Sequence, residues 1–211
     1  MDKIEETNSQ VTPETLFGNN RQNLVIEIGH AGAATVYSSE VRSNLEMTDT
    51  NYLGIDINSN YVQDLKTCAE QMNYDWAKSI EANIMSGIPV LENHASEVWI
   101  ANFKELGING VGIRGKPNER EFTNKFFKKV SALLKPGGKI VFMNDFDDIG
   151  ELGLSVIIQE LGNEYSVNKI ILGESSPPFI ESHKRLYQDE KLKDSYARRF
   201  KGFIATKIIK P

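Results

Sequence analysis

The sequence has 211 residues but only one cysteine and no long apolar run, and each scarcity excludes a class of protein. The single Cys68 cannot form a disulfide within the chain or supply a cysteine metal cluster. The apolar runs are too short to cross a bilayer, and residues 1–22 are too polar and acidic for a signal peptide. The three histidines lack the spacing of metal ligands. We therefore expect a cytoplasmic protein with no metal site and no membrane partner.

The charge is acidic overall but unevenly distributed along the chain. The net charge is −5, whereas residues 184–210 contain nine basic and only three acidic side chains. A second basic cluster lies between Arg114 and Lys129. Such clusters are typical of phosphate-binding faces and equally of solvated helix faces. The overall charge by itself does not indicate a nucleic-acid-binding protein.

The most informative stretch, residues 24–34, reads as an apolar strand with an acidic residue near its end, then a glycine turn that opens a helix. Gly29 and Gly32 allow the backbone to approach a ligand, and the first N–H groups of the helix would point at it. Glu27 destabilises the fold if it is buried unpaired, so it favours a cationic ligand group such as an amino acid ammonium. Many α/β proteins have such a turn without a ligand, and its Gly-x-x-Gly spacing is not that of dinucleotide enzymes.

Strand and helix patterns follow one another along the chain as in a doubly wound α/β protein. We interpret residues 1–22 as a lead-in and residues 23–211 as a single domain, with no internal repeat. The predicted strands are residues 24–28, 52–57, 76–80, 97–103, 139–143, 165–172 and 203–209. The main predicted helices are residues 33–45, a helix capped at Asn58 or Ser59, residues 122–134 and residues 149–161.

Polar residues follow several predicted strands, at the edge where a ligand would bind. Asp56 ends the second strand, where an acidic residue reaches ribose hydroxyls in α/β folds; a turn or helix cap is the alternative role. Glu81 or Asn83, after the third strand, is placed to hydrogen-bond an adenine edge. Asn102 lies at the end of the fourth strand, where it would face the reactive end of the ligand, and Asp145 follows the fifth strand. Asp145 suits a helix cap equally well.

Together these segments resemble the class I S-adenosylmethionine-dependent methyltransferases. The resemblance covers most of residues 24–209 and rests on residues 27–32, Asp56, residues 81–83 and residues 134–142. It implies a Rossmann-like, mostly parallel seven-stranded sheet whose last strand is antiparallel. It also implies S-adenosyl-L-methionine as the cofactor.

The resemblance assigns roles to the strand-end residues. Glu27 would bind the methionine ammonium, and Gly29 and Gly32 would let the backbone approach the cofactor. Asp56 would bind the ribose diol. The remaining cofactor contacts would come from Glu81 or Asn83 at the adenine and from Asn102 near the reactive end.

Within that superfamily the chain most resembles the tRNA (guanine-N7-)-methyltransferases. The matching segments are residues 51–56, 102–103, 144–145 and 196–202. Glu105 stands at the aspartate of that family's Asp-Pro-Trp-Pro-Lys signature, and the four residues that follow differ from it. The resemblance implies tRNA as the partner and methyl transfer to guanine N7. Asp145 and Glu105 would be the catalytic carboxylates that stabilise the charge developing on the ring.

Three functions remain open because the acceptor signature differs. The first is tRNA methylation, which predicts salt-sensitive tRNA binding. The second is methylation of a small molecule or a protein, which an enclosed apolar pocket would favour. The third is a catalytically silent S-adenosylmethionine-binding module, which would bind without turnover. A nicotinamide dehydrogenase is disfavoured by the glycine spacing.

Overall fold

The computed structural model describes residues 13–30, 32–88, 91–101, 117–145, 157–159, 161–170, 178–179 and 200–209, and every structural statement below refers to these residues. The strands are β1 (Asn23–Ile28), β2 (Thr50–Asp56), β3 (Ala77–Glu81), β4 (Ala95–Ala101), β5 (Leu134–Asp145), β6 (Tyr165–Ile170) and β7 (Phe200–Lys207). The helices are α1 (Pro13–Phe17), α2 (Ala34–Tyr37), α3 (Ser39–Met47), α4 (Ser59–Met72) and α5 (Pro117–Leu133). Residues 157–159 and 161 are also helical.

The seven strands form one mixed sheet with the order β3-β2-β1-β4-β5-β7-β6. Strands β1 to β5 pair in parallel, and β7 runs antiparallel to both β5 and β6. The order reverses direction at β1, so the carboxyl ends of β1 and β4 flank the point where ligands bind in open α/β sheets. The predicted seven-stranded, mostly parallel sheet with an antiparallel last strand is confirmed.

A hydrophobic core lies on each face of the sheet, because successive side chains of a strand point to opposite faces. Leu24, Ile26 and Ile28 belong to the core that includes Phe126 of α5. Val25 belongs to the other core, which α3 and α4 cover. Glu27 alternates with Ile26 and Ile28, so its carboxylate points to the face covered by α2, α3 and α4.

The predicted helix 33–45 is wrong as a single element. It is divided into α2 and α3 at Ser38, whose φ of −67° and ψ of 119° are extended. The Ser38 side chain accepts a hydrogen bond from the Val41 N–H, so it caps α3. Serine competes for backbone hydrogen bonds in this way, which explains why the apolar period continues across a helix break.

The strand predicted at 139–143 is longer in the structure, because β5 already begins at Leu134. Leu134 pairs with Ala95, and the register shifts between Ala95 and Glu97 to accommodate the extra residues. Gly137 within this stretch has a φ of 75°, which glycine adopts without strain. The Pro-Gly-Gly segment therefore forms an irregularity inside the ladder rather than a loop before it.

Part of the predicted lead-in is folded onto the domain. Phe17 of α1 is buried in the core that contains Leu24, and the side chains of Asn19 and Asn51 exchange two hydrogen bonds of 3.0 Å. Asn51 is thereby buried within β2, one residue before the predicted start of the strand. Among the helices that the structure describes, none is both long and apolar enough to cross a membrane.

Candidate functional site

The structure brings the predicted residues of the first three strands to one edge of the sheet. Glu27 lies opposite Gly54 in the β1–β2 ladder, and Asp56 lies opposite Glu81 in the β2–β3 ladder. Paired residues share a face, and alternate residues of a strand share a face. Glu27, Gly54 and Asp56 therefore lie on the same face, with Asp56 nearer the strand ends.

Glu27 is enclosed and bonded to two hydroxyl groups. Its side chain is only 2% exposed. The Tyr52 hydroxyl donates to Oε2 at 2.5 Å, and the Thr35 hydroxyl donates to Oε1 at 3.0 Å. A carboxylate has about four acceptor positions, so these two bonds leave room for a further donor. The binding of an ammonium by Glu27 stays a prediction that this geometry permits.

Burial dominates the electrostatics of Glu27. It raises the pKa of Glu27 from 4.5 to about 7, because a charged carboxylate loses the solvation of water. The hydroxyl groups of Tyr52 and Thr35 act in the opposite direction, and the negative charge of Asp56 raises the pKa slightly further. Near neutral pH the carboxylate is therefore close to its point of half-ionisation.

The glycine turn is held by α4 as well as by β2. The Gly29 N–H donates to the Ile55 carbonyl oxygen at 2.8 Å, and Gly29 and Gly32 have φ values of 70° and 86°. The Ala33 N–H donates to Asp64 Oδ2 at 2.9 Å, so the prediction of free N–H groups at this helix start is wrong for Ala33. A Cβ on Gly32 would lie 2.5 Å from the same carboxylate oxygen.

His30, inside the turn, links it to β3. Its Nδ1 is 2.7 Å from the Gly32 carbonyl oxygen, which only accepts, so Nδ1 carries the proton. The unprotonated Nε2 then accepts from the Ser79 hydroxyl at 3.0 Å. Burial lowers the pKa of His30, although Asp56 and Asp64 oppose this. The neutral ring therefore ties the turn to the neighbouring strands.

The residues after β2 and β3 are more exposed than Glu27. Asp56 is half-buried, and its Oδ1 accepts from the Asn58 N–H at 2.8 Å. Glu81 is exposed at the end of β3. Asn83 is exposed too, and its Oδ1 accepts from the Met85 N–H at 2.9 Å, which caps a short 3-10 helix. The cofactor roles of Asp56, Glu81 and Asn83 stay predictions.

The acceptor-side predictions mostly fall outside the described part of the chain. Asn102 and Glu105 lie outside the described residues. Asp145 is the last residue of β5 and pairs with Phe200, which places it at the same edge as Asp56 in a parallel sheet. The side chain of Asp145 lies outside the described part, so its catalytic role stays a prediction.

The carboxyl ends of β1, β2 and β3, together with the adjacent part of α4, carry a group of acidic side chains that we call the anionic edge. Four carboxylates lie there, those of Glu27, Asp56, Asp64 and Glu81. Within the described residues the ion pairs are Lys125–Glu121 and Lys139–Glu97, which involve none of the four. A diphosphate would be repelled by such a group, and a cation would be attracted. This concentration of negative charge therefore favours a ligand that carries a positively charged group.

Asp64 is expected to stabilise the turn by capping α2 from another helix. Asp64→Ala would leave the Ala33 N–H without its acceptor and should lower the free energy of unfolding by about 1 kcal/mol. Asp64→Asn keeps an amide oxygen and should recover much of that loss. Urea unfolding of both variants measures the difference. Equal losses in the two variants would contradict a capping role.

Four residues of this site were not predicted from sequence. Thr35, Tyr52 and Asp64 reach the turn from separate elements, and His30 reads as an ordinary loop residue. One signal was available for Tyr52. Tyr52, Gly54 and Asp56 are alternate residues of one predicted strand, so their side chains lie on the same face. Its contact with Glu27 depends on the β1–β2 register, which the sequence does not reveal.

A separate concavity of about 340 Å³ lies between α5 and the start of β6. Its lining includes Ser131, Lys128 and Tyr165 and none of the predicted cofactor residues. The Tyr165 hydroxyl donates to Ser131 Oγ at 2.6 Å. This concavity is distinct from the anionic edge.

Solved structures share this fold, whereas no protein-family model and no curated protein matches the sequence significantly. The chain is similar to an S-adenosylmethionine-dependent methyltransferase from Aquifex aeolicus, with a TM-score of 0.58 and 12% identity over 92% of this chain and 86% of that one. It is similar to geranyl diphosphate C-methyltransferase from Streptomyces coelicolor, with a TM-score of 0.57 and 12% identity over 90% and 73%. The [4+2]-cyclase SpnF matches with a TM-score of 0.54 and 12% identity over 89% and 75%. At these identities the likeness establishes the fold alone.

Proposed function

We propose that this protein is an S-adenosylmethionine-dependent methyltransferase that binds its cofactor at the carboxyl ends of β1, β2 and β3. The observation that carries the proposal is the group of four carboxylates at this end of the sheet. Asp64 and the buried Glu27 lie at the glycine turn, and Asp56 and Glu81 end the next two strands. S-adenosylmethionine has a sulfonium, an ammonium and a ribose diol, and each interacts favourably with a carboxylate. The fold shared with solved methyltransferases supports the assignment.

The residues of the chain would bind and orient rather than react with the cofactor. When bound, S-adenosylmethionine supplies a methyl group on a positively charged sulfur, so positioning of the acceptor provides much of the rate enhancement. Glu27, fixed by Tyr52 and Thr35, would pair with the ammonium. Asp56 would accept hydrogen bonds from the ribose with Oδ2, because Oδ1 already accepts from the Asn58 N–H.

Asp56→Ala is expected to weaken the binding of S-adenosylhomocysteine at least about tenfold, or about 1.4 kcal/mol, because the ribose diol loses its acceptor. Isothermal titration calorimetry measures this affinity. Asp75→Ala is the matched control, since Asp75 is an exposed aspartate in the turn before β3, at the other end of the strand. Equal affinities for the two variants, both folded by circular dichroism, would contradict the assignment of Asp56.

For the acceptor we propose guanine N7 of tRNA, on the strength of the sequence resemblance to that family. Guanine N7 attacks as a neutral lone pair, and the ring becomes positively charged. Asp145 and Glu105 are the carboxylates proposed to stabilise that charge. The exposed Lys128 and Lys129 of α5 offer positive charge that suits a nucleic acid, whereas the neighbouring Lys125 pairs with Glu121.

The acceptor is tested by the transfer of a radiolabelled methyl group to bulk tRNA, compared with small-molecule and protein extracts. We expect labelled tRNA, and tRNA binding that weakens as salt is raised. Label in a small-molecule fraction instead would assign the second candidate. Geranyl diphosphate C-methyltransferase, a structural neighbour, is named for such a small-molecule acceptor. Cofactor binding without turnover on any fraction would assign the third candidate, a catalytically silent module.

A further inference from the structure

We propose that the Tyr52 hydroxyl, buried against Glu27 and bonded to its Oε2, is a positioning group that holds the carboxylate ready for the cofactor's ammonium, and that cofactor binding depends on pH through this contact. The inference rests on the proposed function, because it needs a ligand with an ammonium group. It goes beyond that function by assigning a role to a buried residue that is not expected to touch the cofactor.

The geometry places Tyr52 against Glu27 and away from the strand ends. Tyr52 precedes Gly54 by two residues, and Gly54 lies opposite Glu27 in the ladder. The Tyr52 side chain is fully buried, and its hydroxyl is 2.5 Å from Glu27 Oε2. Its ring packs beside Trp99 with the centroids 6.3 Å apart. This packing holds the hydroxyl on one carboxylate oxygen.

The groups around Glu27 come from three elements. Tyr52 and Asp56 face it from β2, Thr35 faces it from α2, and Trp99 lies beside it in β4. Asp56 is the charged member of this set, and its negative charge opposes ionisation of Glu27. The two hydroxyl donors favour ionisation, and Tyr52 has the larger effect. Among the described neighbours, Tyr52 is therefore the main group that counteracts burial.

The consequence is a proton released when the ligand binds. An ammonium beside Glu27 favours the ionised carboxylate, whereas the free protein holds a proton there below about pH 7. The affinity for S-adenosylhomocysteine should therefore fall as the pH is lowered from about 7.5 to about 5.5, approaching tenfold per unit at the acidic end. The affinity for 5′-methylthioadenosine, which lacks the ammonium, should change little over the same range.

The test compares Tyr52→Phe with the wild-type chain in calorimetric titrations across this pH range. The variant keeps the buried ring and loses the donor, so the pKa of Glu27 should rise further above its ordinary value. S-adenosylhomocysteine should then bind about five- to tenfold more weakly at pH 6 to 7, and within about twofold of wild type at pH 8.5. Tyr165→Phe, which loses a hydroxyl bonded to Ser131 at the other side of the sheet, should match wild type.

Each outcome separates the inference from the proposed function. Wild-type protein that does not bind S-adenosylhomocysteine contradicts both. Wild-type binding with a Tyr52→Phe profile that overlays it, or that is weaker by the same factor at every pH, overturns the inference alone. If Tyr52→Phe does not fold, Thr35→Val should shift the profile in the same direction by less. An unchanged profile in Thr35→Val, or equal pH dependence for the two ligands, would then overturn it.

Discussion

Glu27→Gln is expected to stabilise the protein at pH 8 while weakening its binding of S-adenosylhomocysteine at least about tenfold. Folding raises the pKa of Glu27 from 4.5 to about 7, so the folded chain holds this proton more tightly than the unfolded chain. The stabilisation that comes from the proton is complete below about pH 4.5 and is lost as the pH rises through about 7. Glutamine stays neutral, so at pH 8 the variant should gain up to about 3 kcal/mol in the free energy of unfolding.

Urea unfolding at pH 5 and pH 8 tests the predicted change in stability. Wild-type protein should lose stability between the two values, and Glu27→Gln should lose less. Glu97→Gln is the control, since Glu97 is a half-buried carboxylate of β4 that contacts Lys139 at 3.9 Å; its effect should stay within about 1 kcal/mol. A Glu27→Gln variant that is less stable than wild type at both pH values would show that the carboxylate stabilises the fold, and would contradict the prediction.

Gly54→Ala is expected to destabilise the protein by about 2 to 3 kcal/mol and to weaken ligand binding with it. A Cβ at position 54 would lie 2.6 Å from the His30 ring and 2.8 Å from Leu65, both buried. The His30 ring cannot move without disturbing its hydrogen bonds to Gly32 and Ser79. The methyl group would therefore displace the turn that approaches the ligand.

A double-mutant cycle with His30→Ala identifies the cause. Removing the ring makes room for the methyl group, so the double variant should be less destabilised than the sum of the single variants by at least about 1 kcal/mol. Gly18→Ala is the control for an added methyl group in open space; its φ of 68° should make it cost about 1 kcal/mol. Strict additivity of Gly54→Ala and His30→Ala would contradict the packing explanation.

The fold could be predicted from the sequence, and so could the end of the sheet at which the predicted residues meet. Gly29, Gly32 and Asp56 are local signals, because a turn needs positive φ and a strand end is marked by where the apolar run stops. The helix break at Ser38 was missed since an apolar period can continue through a capped break. The strand β5 was predicted too short because a bulge in register depends on its partner, β4.

The contacts that define the chemistry of Glu27 could not be predicted in the same way. Thr35 is eight residues away and Tyr52 is 25 residues away, and only the β1–β2 register and the position of α2 bring them to the carboxylate. The same applies to Asp64, which reaches the turn from 31 residues further along the chain. The prediction that the first helix offers a free Ala33 N–H failed for this reason.

We propose that the carboxylates at the ends of β1, β2 and β3 bind a cationic adenosyl cofactor. The most direct measurement is calorimetric titration of the full chain at pH 7.5 with S-adenosylmethionine, S-adenosylhomocysteine and NAD. We expect saturable binding at a single site for the first two ligands and no binding of NAD, whose diphosphate would meet the Asp64 carboxylate that is already bonded to the Ala33 N–H. Binding of NAD in place of both adenosyl compounds, or of none of the three ligands, would contradict it.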